Sequence, residues 1–364
     1  MSSGSYIPPP VKLVEISKKD GGKRPLGIPT VTDRIAQMVV KMTLEPEVEP
    51  FFHSDSYGYR PGKSAIEAVG RARERCWRYD WVIDLDIKGF FDNLRHDLLL
   101  KAVQKHNTNK WVLLYIRRWL SAPLQQKDGT LLSRDKGTPQ GSVISPLLAN
   151  LYLHYAMDEW LRRNYPKTPF ERYADDSVVH CKTEREAKDV LSSLKNRMAE
   201  CGLELHPEKT KIVYCKDDDR RGDYPITKFD FLGYTFRRRR SKNRFGKLFV
   251  NFSPAVSDSA KKSMRQEMRR WKVHLRSDKS LEDISHMFNP VLRGWYNYYG
   301  KYYKSELHCV FRHFNRTLSR WAMRKYKRLR GHKRHAEYRI GKIAIEQPAL
   351  FYHWRMGLKP STGQ

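Results

Sequence analysis

The sequence has no long hydrophobic run and few cysteines. No uncharged apolar stretch reaches the ~18 to 20 residues that cross a bilayer, and the N-terminal segment lacks the charged and apolar regions of a secretory signal. The five cysteines are widely spaced without a C-x-x-C pair, which argues against a disulfide framework and a cysteine zinc site. The sequence therefore predicts a cytoplasmic protein whose thiols are free and buried.

Acidic residues are scarce relative to basic ones. The 364 residues include 70 Lys and Arg against 40 Asp and Glu, a formal net charge of +30. Residues 231–364 alone contain 32 basic and 8 acidic residues, so the excess lies in the C-terminal third. A balance of this kind indicates a polyanionic partner, either nucleic acid or an anionic membrane surface.

The length is sufficient for two or three domains at roughly 100 to 200 residues each. A composition of 40% hydrophobic and 12% aromatic residues excludes a disordered chain. Mixed strand and helix patterns extend to about residue 254, and only helical patterns follow. We predict an α+β domain over residues 1–254 and a basic helical domain over residues 255–364.

Local signals predict individual elements. Helical spacing over residues 32–44 and capping-box pairs at Ser64 and Thr183 predict three helices. Period-two patterns predict strands over residues 11–16, 81–87, 229–236 and 248–252, and a hairpin over residues 170–181. In residues 81–87 this period places apolar side chains on one face and acidic ones on the other.

Three aspartates are candidates for a metal site. Asp86 projects from the polar face of a predicted strand, and Asp175 and Asp176 occupy the turn of the predicted hairpin. Two aspartates in a turn are most often turn formers, but in a mostly buried hairpin their charges repel unless a cation offsets them. Oxygen ligands favour Mg²⁺ over zinc, and two such ions ~3.5 to 4 Å apart perform phosphoryl transfer.

These residues resemble motifs of reverse transcriptases. Tyr173-Ala174-Asp175-Asp176 looks like the Y-x-D-D motif, and residues 86–92 look like the first acidic motif. More specifically, the chain is similar to group II intron-encoded reverse transcriptases and maturases. The blocks similar to that family, in order, are residues 24–29, 57–64, 137–142, 205–210 and 231–234, with a maturase-like or thumb-like block at 289–300.

The resemblance implies a right-hand polymerase, in which fingers and a palm with an antiparallel sheet precede an α-helical thumb or maturase domain. The implied enzyme is an RNA-directed DNA polymerase that uses two Mg²⁺ ions, with Mn²⁺ as a substitute. Its partners would be an RNA template with a DNA or RNA primer, dNTPs, and a structured group II intron RNA whose splicing and mobility it assists. No membrane partner is expected. Asp86, Asp175 and Asp176 would be catalytic and, with the carbonyl of Ile87, would hold the metal.

Further residues receive expected roles. Nucleotide binding is expected, by resemblance, of Lys23, Arg24, Phe91, Gln140 and Lys209. The ring of Phe91 would clash with a ribose 2′-hydroxyl and so favour deoxynucleotides. Basic residues near aromatic side chains predict nucleic-acid binding; these are Arg60, Arg237, Arg238, Arg293, Arg324, Lys325 and Arg328. Ser142 departs from the family pattern, which has a second glycine there.

Two other functions stay open. A stand-alone or CRISPR-associated or defence-associated reverse transcriptase of group II-like origin would keep the chemistry in another biological setting. A non-catalytic RNA-binding maturase would keep the palm as a scaffold only. The intact acidic triad argues against this second alternative, because an inactive palm has no reason to retain buried like charges. Nothing that resembles an H-N-H endonuclease follows the maturase-like block, so independent DNA cleavage is not expected.

Overall fold

The computed structural model describes residues 4–17, 22–242 and 245–360, with the backbone alone for Ser17 and Arg24. The chain divides into two compact units, Met1–Thr227 and Lys228–Gln364. The predicted boundary between domains, after residue 254, stays a prediction. The second compact unit begins earlier in the chain because it includes strands that precede the helical region.

The first unit contains eight strands and seven helices within the described residues. The strands are β1 (Val11–Ser17), β2 (Lys23–Ile28), β3 (Trp81–Leu85), β4 (Leu124–Gln125), β5 (Leu131–Leu132), β6 (Phe170–Tyr173), β7 (Asp176–Cys181) and β8 (Lys211–Tyr214). The helices are α1 (Val31–Val48), α2 (Ala65–Cys76), α3 (His96–His106), α4 (Lys110–Ser121), α5 (Ser145–Leu153), α6 (Glu159–Asn164) and α7 (Glu184–Glu200). A π-helical segment, His154–Asp158, joins α5 to α6.

The sheet that carries the acidic residues has the strand order β6-β7-β3-β8, with every neighbouring pair antiparallel. Strand β3 forms because Trp81, Val82 and Ile83 favour extended backbone and are all buried. The predicted hairpin over residues 170–181 is therefore confirmed, and so is the strand predicted over residues 81–87, except that it ends at Leu85. A second sheet, of order β2-β1-β4-β5, confirms the strand predicted over residues 11–16.

Helix starts follow the predicted capping residues, with one difference. Ser64 and Glu67 form the complete reciprocal capping box at the start of α2. At α7 the Thr183 side chain accepts the Glu186 N–H, but the Glu186 carboxylate accepts the N–H of Lys182 instead of that of the capping residue. Each arrangement satisfies backbone donors that a helix start leaves without intrahelical partners.

The second unit contains a three-stranded sheet followed by helices. Its elements are β9 (Lys228–Phe231), β10 (Tyr234–Lys242), β11 (Leu248–Val256), α8 (Asp258–Arg270), α9 (Leu281–Tyr299), α10 (His308–Lys325), α11 (Lys333–Glu346) and α12 (Tyr352–Arg355). The prediction of one strand over residues 229–236 is wrong. Leu232 and Gly233 both adopt positive φ values, 51° and 80°, and this tight turn divides the segment into β9 and β10.

Two further expectations concern cysteines and membranes. Four thiols are buried and free (Cys76, Cys181, Cys201 and Cys215), whereas Cys309 is half-buried. Within the described residues no helix is both long enough and apolar enough to cross a bilayer.

Candidate active site

Strand pairing brings the three predicted aspartates to one end of the first unit's β6-β7-β3-β8 sheet. Strand β3 ends at Leu85, which lies opposite Ser177 of β7. Because the two strands are antiparallel, Asp86 and Asp176 form the next opposed pair, and Asp175 precedes Asp176 in the turn between β6 and β7. The sheet thus joins acids that are 89 or more positions apart in the sequence.

The turn that carries Asp175 has a conformation unusual for its sequence. Ala174 has a φ of +57°, in the left-handed region that side chains disfavour by about 1 to 2 kcal/mol. The neighbouring Gly58 is packed directly onto this turn: a Cβ there would lie 2.9 Å from the carbonyl carbon of Tyr173 and closer still to the Ala174 nitrogen. Glycine at position 58 therefore permits a close backbone approach that fixes the turn.

Asp86 is held through its backbone and contacted by a cation through its side chain. Its carbonyl accepts the His206 N–H at 2.7 Å, and its carboxylate lies 3.3 Å from the ammonium of Lys209. Ile87 forms a bridge to Leu205 whose flanking hydrogen bonds are made by Asp86 and Lys88, not by Ile87. Such a bridge leaves the Ile87 carbonyl available, as its predicted role requires.

The surroundings of Asp176 shift the pKa of its carboxyl group. Desolvation by its surroundings, then the negative charges of Asp175 and Asp86, raise its pKa to about 6, while the Lys209 charge acts in the opposite direction. The Asp176 side chain is nevertheless exposed, so water screens part of this repulsion. A bound cation would relieve the remaining repulsion between the carboxylates.

The donor set is compatible with Mg²⁺. The available ligands are carboxylate and carbonyl oxygens, which this ion prefers. Within residues 4–17, 22–242 and 245–360, no three acidic, histidine or cysteine side chains by themselves enclose a metal ion. Mg²⁺ commonly binds to proteins through one or two carboxylates together with waters and substrate phosphates.

The raised pKa of Asp176 predicts that its charge destabilises the metal-free protein. An unfolded Asp ionises near pH 4, so the stability associated with proton binding is present below pH 4 and is lost as the pH rises through about 6. In EDTA at pH 7.5, Asp176→Asn should raise the unfolding midpoint by about 2 °C, since screening limits the effect to about 1 kcal/mol. The difference should shrink at pH 4.5, as measured by thermal melting.

Asp128 provides a control of opposite sign. Hydrogen bonds from Thr130 lower the pKa of the Asp128 carboxyl. Asp128→Asn should therefore lower the unfolding midpoint at pH 7.5. If both variants shift the midpoint in the same direction, the electrostatic interpretation of Asp176 is wrong.

The residues predicted to bind the triphosphate lie on β2 and beside β3. The exposed Lys23 forms an ion pair with Glu15 at 2.6 Å, which raises the Lys23 pKa. The side chain of Arg24 lies outside the described residues. Lys209 contacts Asp86 and is exposed, so its ammonium lies at the acidic cluster itself. The nucleotide contacts of these residues stay predictions.

The backbones of Phe91 and Gln140 each make a hydrogen bond that fixes the 137–142 block. The Phe91 carbonyl accepts the N–H of Thr138 at 2.7 Å, and its half-buried ring packs edge-on against Phe90. The side-chain amide nitrogen of Gln140 points toward Asp92 at 3.4 Å. The backbone carbonyl of Gln140 accepts the Gly27 N–H at 3.0 Å. The 137–142 block therefore docks on both β2 and the residues that follow β3.

Ser142 has a defined role in this block. Its hydroxyl donates to the Gln37 side-chain oxygen at 2.6 Å, and the same oxygen accepts the Val143 N–H at 2.9 Å. The buried serine thus has a partner on α1, which explains how the fold accommodates a departure from the double-glycine pattern.

The residues predicted to bind nucleic acid have different surroundings. Arg60 has a side chain only 6% exposed, paired with Glu49 and bonded to two backbone carbonyls. Lys325 donates to the carbonyls of Ser277 and Lys279. These contacts favour structural roles for both residues. Exposed positions are found for the remaining predicted residues: Arg237, Arg238, Arg293, Arg324 and Arg328.

A basic face that the sequence analysis overlooked lies in the second unit. Four exposed arginines recur at every fourth position of α10, and α8 has two more at the same spacing, of which the first is half-buried and the second exposed: Arg312, Arg316, Arg320, Arg324, Arg265 and Arg269. Residues four apart share one helix face, so the α10 row extends over about 18 Å. The four-residue spacing was visible in the sequence.

The arginines of this basic face contribute to lowering the pKa of a neighbouring histidine. Burial, followed by the charges of Arg269, Arg320, Arg265 and Arg316, lowers the pKa of His313. Positive charge from both helices therefore accumulates at one place, as expected for a surface that binds a polyanion.

An antiparallel sheet that presents an aspartate beside a two-aspartate turn defines a polymerase palm. The chain belongs to the reverse transcriptase (RNA-dependent DNA polymerase) family, which matches residues 16–236. The maturase-specific domain of group II introns matches residues 261–339. The predicted family, the RNA-directed DNA polymerase class and the polymerase fold are confirmed.

Relatives and solved structures agree with this assignment. Protein YkfC of Escherichia coli (strain K12) is 33% identical over 286 residues, 68% of this chain and 71% of YkfC. The group II intron-encoded protein LtrA of Lactococcus lactis subsp. cremoris is 28% identical over 387 residues, 82% of this chain and 62% of LtrA. A telomerase from Candida albicans, in complex with a TWJ fragment of telomeric RNA, is similar in fold, with a TM-score of 0.52 and 12% identity over 98% of this chain and 64% of that chain.

These matches have direct consequences for cofactors and partners. The reverse transcriptase family generally uses divalent metal ions such as Mg²⁺. Reverse transcriptase and maturase domains together imply that the chain binds an RNA template.

Proposed function

We propose that the protein synthesises DNA on an RNA template by two-metal-ion nucleotidyl transfer. The observation that carries the proposal is the clustering of Asp86, Asp175 and Asp176; desolvation, followed by the charges of the other two aspartates, raises the pKa of Asp176. Repulsion between neighbouring carboxylates is unfavourable, and cation binding would offset it.

The chain's own residues have separate tasks in this reaction. Asp86, Asp175, Asp176 and the Ile87 carbonyl would hold the metal ions. Two bound Mg²⁺ ions would lower the pKa of the primer 3′-hydroxyl and neutralise charge on the triphosphate. Lys209 lies within reach of the cluster and adds positive charge there.

Substrate selection belongs to the other predicted residues. Lys23 and Arg24 on β2 supply cations for the triphosphate, and Gln140 lies where β2 meets the 137–142 block. The Phe91 ring is proposed to exclude a ribose 2′-hydroxyl and thereby to select dNTPs.

We further propose that the second unit binds a structured group II intron RNA and assists splicing and mobility. The arginines of α8 and α10 support this proposal, because they lie within the maturase-specific match and all but the half-buried Arg265 are exposed. We also propose that the protein binds a template–primer and dNTPs and that it acts in the cytoplasm.

Primer extension by the full chain tests the proposed synthesis. With Mg²⁺, the wild-type protein should extend a DNA primer on an RNA template and should prefer dNTPs to rNTPs, whereas Asp175→Ala should not extend it. Asp218→Ala, an exposed acid outside the cluster, is the matched control and should behave as wild type.

Two outcomes contradict the proposal. Equal extension by wild type and Asp175→Ala would remove the cluster from the chemistry. Absence of extension by the wild type, with RNA binding retained, would favour a non-catalytic RNA-binding protein. Sequencing of RNA that co-purifies with the chain distinguishes an intron partner from the stand-alone or defence-associated alternative, because only the first should yield intron sequence.

A further inference from the structure

A fully buried arginine lies immediately before the catalytic turn. Arg172 is on β6, two residues before Ala174, and its side chain is 0% exposed. A buried guanidinium is tolerated only where its charge is paired and its N–H groups have acceptors. The partners of Arg172 therefore indicate what this charge is for.

The guanidinium makes four hydrogen bonds to three groups. Nε and Nη2 donate to the two carboxylate oxygens of Asp158 at 2.8 and 2.6 Å, a bidentate ion pair. Nη1 donates to the side-chain oxygen of Asn150 at 2.9 Å and to the carbonyl of Ala174 at 3.2 Å. One side chain thus links helical residues below the sheet to the left-handed residue of the turn.

The acidic partner comes from an irregular helix. Asp158 ends the π-helical segment His154–Asp158, and its side chain is 0% exposed. Single-turn π-helices are uncommon and often occur at functional sites. His154 lies 4.0 Å from Asp158, but burial lowers the pKa of His154 to about 4, so this imidazole is neutral at pH 7. The positive charge that faces Asp158 is that of Arg172.

Asn150 extends the link to the other side of the turn. While its oxygen accepts from Arg172, its amide nitrogen donates to the Gly58 carbonyl at 2.5 Å. Gly58 is the residue whose backbone presses on Tyr173 and Ala174. Arg172 and Gly58 therefore both contact the turn, and the buried side-chain amide of Asn150 is hydrogen-bonded to both of them.

We propose that Arg172, Asp158 and Asn150 are positioning residues that hold Ala174 in its left-handed conformation and so aim Asp175 and Asp176 at the metal ions. The inference rests on the proposed metal-dependent function of those aspartates. It assigns a purpose to a buried ion pair that packing alone does not require, since apolar residues of similar volume can fill such a space.

The test variant replaces the planar guanidinium of Arg172 with the ammonium of lysine, which keeps the positive charge. Arg172→Lys should raise the Mg²⁺ concentration for half-maximal primer extension by about 10- to 100-fold, as is usual for groups that orient metal ligands. Binding of Mn²⁺ to the full chain, followed by electron paramagnetic resonance without nucleotide, should weaken by a similar factor. Affinity for primer–template should change by less than about twofold, because Arg172 is buried.

Control and rescue variants separate positioning from general stability. Arg162→Lys alters a pair of the same fork geometry, with Glu159, that lies on the surface, and it should leave both metal measurements unchanged. Adding Ala174→Gly to Arg172→Lys should restore part of the metal affinity, because glycine adopts positive φ without assistance. If Arg172→Lys does not fold, Asn150→Ser, which preserves the ion pair, should show the same weakening.

The outcomes distinguish this inference from the proposed function. Wild-type metal affinity in folded Arg172→Lys or Asn150→Ser, with only a lower unfolding midpoint, would overturn the positioning role. Failure of Ala174→Gly to rescue would also count against it. A wild-type chain that neither binds Mn²⁺ nor extends a primer would instead overturn the proposed function.

Discussion

Asp86→Asn should lower the rate of primer extension by about a thousandfold or more, while the affinity for primer–template stays within about twofold. The large effect is expected because the carboxylate lies near Asp176 at the end of the strand pair and contributes charge at the point where the metal ions are proposed to act. Single-turnover extension measures the chemical step, and a binding titration with the same primer–template measures affinity.

The matched control is Asp84→Asn. Asp84 lies on the same face of β3, two residues earlier, and pairs across the sheet with Val178 and Lys211. Two residues along extended backbone separate the Cα atoms of Asp84 and Asp86 by about 7 Å. Asp84→Asn should therefore retain most of the extension rate. A similar loss in both variants would mean that the whole acidic strand face, and not Asp86 in particular, supports synthesis.

The second large effect concerns a residue without a side chain. Gly58→Ala would place a methyl group against the backbone of Tyr173 and Ala174, and backbone cannot move aside as a flexible side chain can. The turn must shift, and a displacement of about 1 Å at a reacting group lowers rates by about 100-fold. We expect extension to fall by that factor in single-turnover measurements, with a much smaller change in primer–template affinity.

Gly62→Asn tests whether the effect is specific to the close approach. Gly62 lies in the same connection and has a φ of +69°, and among the described residues a Cβ there would meet no atom within 4 Å beyond its two chain neighbours. Asparagine adopts this conformation more readily than other side chains. Near-normal extension by Gly62→Asn is expected, and an equal loss would indicate that the connection as a whole is sensitive.

The elements that place the aspartates were predictable because local pattern and tertiary structure agree there. Val82 and Ile83 precede Asp84 in a segment that is a buried central strand, so residue type and burial indicate the same element. The Y-x-D-D resemblance located the turn. The convergence of Asp86 with Asp175 and Asp176 followed from these two assignments.

The supporting contacts were not predictable, because they depend on residues brought together by folding. Nothing near Arg172 in the sequence indicates that Asp158 lies beneath it in a π-helical turn. The Lys209 ion pair with Asp86 joins residues 123 positions apart. By contrast, the division at Leu232 could have been suspected from the adjoining glycine, which the period-two pattern concealed.

The arginine spacing on α10 makes the basic row sensitive to insertions and deletions in the helix. A one-residue insertion between Arg312 and Arg324 would rotate everything downstream by about 100° around the helix axis and split the row into two directions. An insertion of eleven residues, about three full turns, would nearly restore the alignment. Substitutions can therefore accumulate between the arginines over evolutionary time, whereas small insertions and deletions in this stretch should be selected against.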